Sequence, residues 1–364
     1  MTDSASTTRL GLLGMQTDEP LTSAAGTGAV SGLAQDPSLP GPAEAHATPS
    51  KIDMHHHFCA PEWREWAARH GLVKPEKLPP WSRLDVEASI GFMDRSGITT
   101  AVLKPMLPAR YRSSAQLREA INITLQSMLE VASSHPGRFS FYVPLFLDDP
   151  DASSWAVRRG LGQLGAVGVN VTANYGGVYL GDPAYDRVFH ELNDHCAVVD
   201  THPHNLPDGA PGAMSVPGIP NFMCDFLLDT TRAAVNMMAH RTLDRFPDVS
   251  VILPHAGGFV PYIAGRLEAL GRFCDPALEP AAVRDHLRRF YYDTAGPMAG
   301  AATLLDHVPA DHILFGTDWP AAPADTVTGL AIPALEADPA FTSEQLRGIY
   351  HDNALRLIPQ LASV

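Results

Sequence analysis

The chain has 364 residues, 45% hydrophobic and 18% charged, the balance of a globular protein long enough for one large barrel or two medium domains. Forty acidic against 26 basic residues leave a net charge of -14, which excludes nucleic acid and anionic membrane surfaces as expected partners. No window of about 18 apolar residues is present to span a bilayer, and the four scattered cysteines (Cys59, Cys196, Cys224, Cys274) have no CxxC or framework spacing, so they read as reduced thiols of a cytoplasmic protein.

Residues 1 to about 48 are rich in Ala, Gly, Ser, Thr and Pro, with Arg9 the only basic residue, and lack a signal-peptide pattern. Such a segment buries too little apolar surface to order itself; it reads as a flexible tail or an early-assigned start, ahead of a single domain over 49–364. From there strand-like and helical runs alternate. The predicted strands are Ile52–His57, Thr99–Lys104, Phe139–Leu145, Ala166–Thr172, Ala197–His202, Val249–His255, Phe290–Thr294 and His312–Asp318. Most are apolar on both faces, as buried parallel strands are.

Among the predicted helices, Asp85–Ser96 stops at Gly97, and Ser114–Ser134 ends before His135-Pro136-Gly137. Pro183–His195 takes Asp182 as N-cap, Thr230–Phe246 and Val260–Phe273 follow the fifth and sixth strands, and Ser343–Leu357 is capped by Ser343 with Glu344 in its first turn. Eight β/α repeats predict a (β/α)8 TIM barrel of class α/β, and no GxGxxG follows the first strand to favour a dinucleotide-binding sheet. The Gly- and Pro-rich insertion His204–Phe226 is expected as a loop above the site.

The strand ends carry the chemistry. In a strand, residues two apart share a face, so His55 and His57 point one way and His56 the other. The fifth strand ends in Thr201-His202-Pro203-His204, the sixth in His255-Ala256-Gly257-Gly258, and the eighth in Gly316-Thr317-Asp318-Trp319. A barrel converges these ends on one face, within reach of a single ion. A strand-end histidine taken singly is more often a hydrogen-bonded core residue; four strands ending in metal-compatible groups argue for a metal.

The chain resembles the amidohydrolase superfamily, in the branch of aminocarboxymuconate-semialdehyde decarboxylase. The matching stretches are IDMHHHF, LGDPAYDRVFHEL, the fifth-strand HP, DTTRAAVNMM, LDRFPDVSVILPHAGGFVPYIAGR, FYYDTAG, DHILFGTDWP and HDNALRLIP, in the family's order over residues 51–359. The finer resemblance, in HHHF and DTTRA, is to 6-methylsalicylate decarboxylase-like proteins. It implies His55, His57, His202 and Asp318 as metal ligands, a set that suits zinc, with manganese as the alternative. Val171-Thr172-Ala173-Asn174 stands where binuclear members carry a carboxylated lysine, so one ion is expected. His255 matches the family's acid/base histidine, and Arg266 matches an arginine that holds a substrate carboxylate in the neighbouring subunit, which implies a homodimer.

Lys104, Arg110 and Arg112 are further candidates to meet an anionic substrate, Phe58 and Trp319 to line an aryl pocket, and Asp53 to orient an imidazole, while His56, His204 and Asp229 have no assigned role. The expected activity is metal-dependent, non-oxidative decarboxylation of a small aromatic or unsaturated, salicylate-like acid, with His255 or Asp318 handling the proton. A metal-dependent lactonase or amidase is the alternative on the same ligand set. A non-enzymatic metal scaffold is disfavoured because the ligands and the acid/base histidine are all present.

Overall fold

The computed structural model describes residues 50–108, 110–204, 214–296 and 301–364. The expected tail and residues 205–213 of the expected loop lie outside the described residues. Eight strands form one parallel sheet: β1 Lys51–Phe58, β2 Ile98–Pro105, β3 Phe139–Pro144, β4 Gly168–Thr172, β7 Val198–His202, β8 Ser250–Leu253, β9 Tyr291–Asp293 and β10 Ile313–Leu314, in sheet order β1-β2-β3-β4-β7-β8-β9-β10. A two-stranded hairpin, β5 Asn174–Tyr175 with β6 Val178–Tyr179, was not foreseen and sits after β4. The eighth predicted strand is regular only over Ile313–Leu314, but the chain beyond it pairs with β1. Backbone bonds from Met54 to Phe315 (2.9 Å), from Asp318 to His55 (2.9 Å) and from His57 to Trp319 (2.7 Å) close the barrel.

Inside, Ile52, Met54, Val102, Tyr142, Val198, Ile252 and Leu314 make an apolar plug sealed by Ala354, Ile358 and Leu361 of the C-terminal segment. A larger cluster fills the space between the barrel and its helices, with Trp63, Phe92, Phe139, Phe189 and Phe246 fully buried. In β1 the pairing runs Asp53 with Ala101 and then His56 with Leu103, three residues against two. This bulge switches the pleat, so Ile52 and Met54 fill the plug while His55 and His57 still reach the interior above it.

Helix Val86–Ser96 has Asp85 accepting from the Ala88 amide and ends at left-handed Gly97 (φ 67), as expected. The helix expected over Thr230–Phe246 begins earlier and is broken: Asp225–Ala239 stops, Arg241 turns left-handed (φ 51), and Thr242–Arg245 follows. The C-terminal helix is capped by Thr342 rather than Ser343. Thr342 and Gln345 form a reciprocal box, and Gln345 lies three positions after the cap where its side chain can return the bond.

Candidate metal centre

His55 and His57 end β1, His202 ends β7, and Asp318 follows β10; one donor atom from each lies within 4.8 Å of the others. His55 Nε2 and His57 Nε2 face each other at 3.3 Å, and Asp318 Oδ1 lies 3.2 Å from the first and 2.9 Å from the second. The His202 ring closes the group, with centroids 4.8 Å from His57 and 5.4 Å from His55. Two rings are turned by partners on their far sides. His55 Nδ1–H donates to Asp293 Oδ2 (2.8 Å), and His202 Nδ1–H donates to the Pro203 carbonyl (2.6 Å). Each ring thus turns its Nε2 to the common centre, the nitrogen whose lone pair a divalent ion requires once it is free of a proton. Three imidazole nitrogens and one carboxylate fit such an ion, and a metal site is present.

The backbone is bent to place these groups. Asp318 (φ 62) and His255 (φ 54) are both left-handed, a conformation that costs a non-glycine residue about 1–3 kcal/mol and needs support nearby. Asp53 supports the first. Its carboxylate accepts from the amides of His55 (3.1 Å) and Thr317 (3.0 Å), the Thr317 hydroxyl (2.6 Å) and His56 Nδ1 (2.9 Å). The two motif glycines meet steric limits. A Cβ on Gly316 would lie 2.9 Å from the His55 Cβ, and one on Gly258 (φ 63) would lie 2.3 Å from the Leu227 carbonyl oxygen.

Electrostatics favour neutral imidazoles beside an ionised carboxylate. Burial lowers His57 to about 4, with the Asp318 contact only partly offsetting it. Burial and then the charge of His57 hold His202 well below the usual range. Asp318 is also opposed by burial, yet the neighbouring imidazoles of His255, His55 and His57 hold it well below its usual value. His55 is the exception: burial and Lys104 disfavour its charge, but Asp293 and Asp318 outweigh them and raise it to about 9. Between two carboxylates and without a cation, this ring takes a proton.

His255 Nε2 lies 3.8 Å from Asp318 Oδ2, and its Nδ1 is buried with no hydrogen-bond partner among the described residues, so the expected acid/base residue does stand beside the cluster. The other expected site residues divide. Lys104 is not open to substrate: it is 1% exposed, its ammonium lies 3.0 Å from Asp200 Oδ1, and Asn170 donates to the other oxygen of that carboxylate (2.7 Å). Trp319 stacks on Phe92 (4.9 Å, 10°) and packs against His56 outside the barrel, and Phe58 is buried in the outer core, so both are packing residues. The bulge and the closing strand turn these two side chains away from the site.

Asp53 holds the backbone of the ligand turns and the ring of His56, not a ligand ring. His56 completes that network through Ser89 Oγ (3.3 Å). Arg112 reaches the His70 carbonyl, whereas Arg110 lies near enough to His204 to lower it, after burial. Asp229 ties the His204 amide (3.0 Å) to Asn174 (2.8 Å) and Tyr179 (2.9 Å). Arg266 is exposed on the helix Val260–Leu270, beside Tyr262, which is 79% exposed.

Three neighbours of the site were missed. Asp293 carries no spacing signal, though it lies within FYYDTAG. Trp81 enters from the 3-10 turn Pro80–Arg83, its ring 5.4 Å from that of His57, and Phe226 stands 6.4 Å from the His202 ring. Both aromatics are half-buried; Trp81 lies in a connecting turn, and Phe226 lies in the first turn of the helix Asp225–Ala239, ahead of where the sequence predicts a helix.

This arrangement has relatives. Decarboxylase yanB of Aspergillus niger is 30% identical over 331 residues, 85% of this chain and 88% of its own. The 6-methylsalicylic acid decarboxylase of Penicillium expansum is 29% identical over 338 residues, 86% of this chain and 98% of its own. A solved 2,6-dihydroxybenzoate decarboxylase in complex with 2,6-dihydroxybenzoate superposes with a TM-score of 0.71 at 26% identity, covering 85% of this chain and 99% of its own. The sequence pattern described as Amidohydrolase matches residues 52–360, taking in every strand end of the metal cluster, and the chain belongs to that family.

Proposed function

We infer that the protein is a metal-dependent, non-oxidative decarboxylase of a small aromatic carboxylic acid, with a salicylate-like hydroxybenzoate as substrate. The observation that carries this reading is the three-histidine, one-carboxylate cluster with His255 beside it, in a chain whose relatives decarboxylate hydroxylated benzoates. The ligand set by itself would also serve a hydrolase; the relatives decide for decarboxylation.

In this reading His55, His57, His202 and Asp318 hold one ion, zinc by its donor set, which supplies Lewis acidity and a fixed point for substrate oxygens. Trp81 and Phe226 flank the cluster and form the walls for an aryl ring. The pair His255 and Asp318 handles the proton. A proton is added at the ring carbon bearing the carboxylate, the bond to the carboxylate breaks, and its electron pair restores the aromatic ring as carbon dioxide leaves. No organic cofactor is needed, because the protonated ring is the electron sink. The exposure of Arg266 beside Tyr262, Leu270 and Phe273 supports a homodimer in which this arginine serves the neighbouring copy, and four free cysteines accord with the cytoplasm.

The test is carbon dioxide release from a panel of hydroxylated and methylated benzoates, with protein loaded with zinc or with manganese. Release abolished by chelator and by His255→Ala supports the reading and names the substrate. Turnover of lactones or amides, with no release across the panel, would replace it with the hydrolase.

A further inference from the structure

Asp293 ends β9 fully buried, and its two oxygens face different parts of the site. Oδ2 accepts from His55 Nδ1 at 2.8 Å. Oδ1 accepts from the backbone amides of His255 (2.8 Å) and Ala295 (3.0 Å). One carboxylate therefore joins a metal ligand on β1 to the left-handed turn after β8, where His255, Ala256, Gly257 and Gly258 all have positive φ.

We propose that Asp293 is a positioning residue acting in two directions. It keeps the His55 proton on Nδ1 so that Nε2 faces the ion, and it pins the His255 turn so that this ring faces Asp318. Metal loading and placement of the proton-transfer pair are thereby set by the same side chain. The proposal rests on the metal-site reading above and reaches beyond it by assigning a role outside the ligand set.

The geometry separates the two roles. In Asp293→Asn the two backbone amides still demand an acceptor, so the amide oxygen stays at the Oδ1 position and the NH2 group faces His55. His55 Nδ1 must then accept, and its proton moves to Nε2. Asp318 Oδ1, 3.2 Å away, is ready to accept it there and trap the wrong tautomer. In Asp293→Ala both supports are lost, and the His255 turn is released as well.

Calorimetric titration of metal-free protein with zinc and with manganese reads the first role. Asp293→Asn is expected to weaken the ion by about 10- to 100-fold, while the metal-free protein keeps a cooperative melt. At saturating metal, turnover reads the second role, and Asp293→Asn is expected to exceed Asp293→Ala more than tenfold in kcat. Binding by Asp293→Asn within twofold of wild type, or equal kcat for the two variants, would overturn the proposal. Nitrogen-15 NMR of the zinc-loaded wild type decides even if a variant fails to fold: a His55 ring protonated at Nδ1 supports it, and one protonated at Nε2 overturns it. A wild type that binds neither ion would instead remove the metal-site reading.

Discussion

Asp53 is the sharpest point at which to test how the ligand turns are held. Asp53→Ala removes the acceptor for two backbone amides, one hydroxyl and one imidazole, all in the buried interior where water does not replace it. The Thr317 hydroxyl can turn elsewhere, and His56 keeps Ser89 on its other nitrogen, but the amides of His55 and Thr317 have no second acceptor in the network. At about 1–3 kcal/mol for each unsatisfied buried group, the expected loss is about 4 kcal/mol, a large part of the roughly 5–15 kcal/mol total of a folded domain. Asp53→Asn keeps an oxygen for both amides. Its NH2 group faces the hydroxyl, which can accept, and His56, which can change tautomer, so the expected loss is about 1 kcal/mol. Urea unfolding of metal-free protein in chelator, followed by circular dichroism, measures both without a contribution from the ion. If the two variants fall within about 1 kcal/mol of each other, the clamp does not hold the turn and the reasoning fails.

Three further outcomes are expected. Lys104→Met leaves the Asp200 carboxylate buried without its cation and is expected to cost about 3–5 kcal/mol, recovered in large part by adding Asp200→Asn; thermal melts of the single and double variants decide this. Trp81→Ala is expected to raise KM by about two- to tenfold, with metal content unchanged, because it removes one aryl wall worth about 0.5–1.5 kcal/mol; an unchanged KM would take Trp81 out of the substrate pocket. Metal affinity is expected to rise about tenfold per pH unit up to about 9 and then level, since the His55 proton must leave before the ion binds. The same raised value makes His55 stabilise the metal-free protein fully below its unfolded value of 6.5, a contribution lost as pH rises through about 9; melting curves from pH 6 to 10, with and without metal, read both effects.

The barrel was legible because its strands are short apolar runs separated by helical periodicity and turn residues, signals that reside in neighbouring positions along the chain. The ligands were legible for a related reason. A parallel barrel places every strand's C-terminal end on one face, so His55, His57, His202 and Asp318, with His255 beside them, could be brought together from their positions in the strands. The break at Arg241 and the Thr342 cap lay within the error of local rules, since each depends on a backbone turn or a returning side chain rather than on composition.

Side-chain direction across the barrel could not be read in that way. Lys104 sits at a strand end as a substrate-binding cation would, yet Asp200, 96 positions along the chain, claims it in the interior. Strict alternation puts His55 on the face opposite Met54; a one-residue bulge, visible only in the pairing of β1 with β2, brings both inward. Asp293 ends a predicted strand on the same face, but nothing in that strand's pattern tells that its carboxylate turns to His55, and Trp81 and Phe226 enter from a turn and a helix start that the pattern did not resolve. The sequence by itself determined the repeat and the strand ends that offer donors, because these follow from local periodicity under one architecture, while the family resemblance implied which four of them hold the ion. Only the tertiary structure decided which polar groups are spent on each other and which face the centre, because a buried charge is assigned by whichever partner the closed barrel brings within hydrogen-bonding distance.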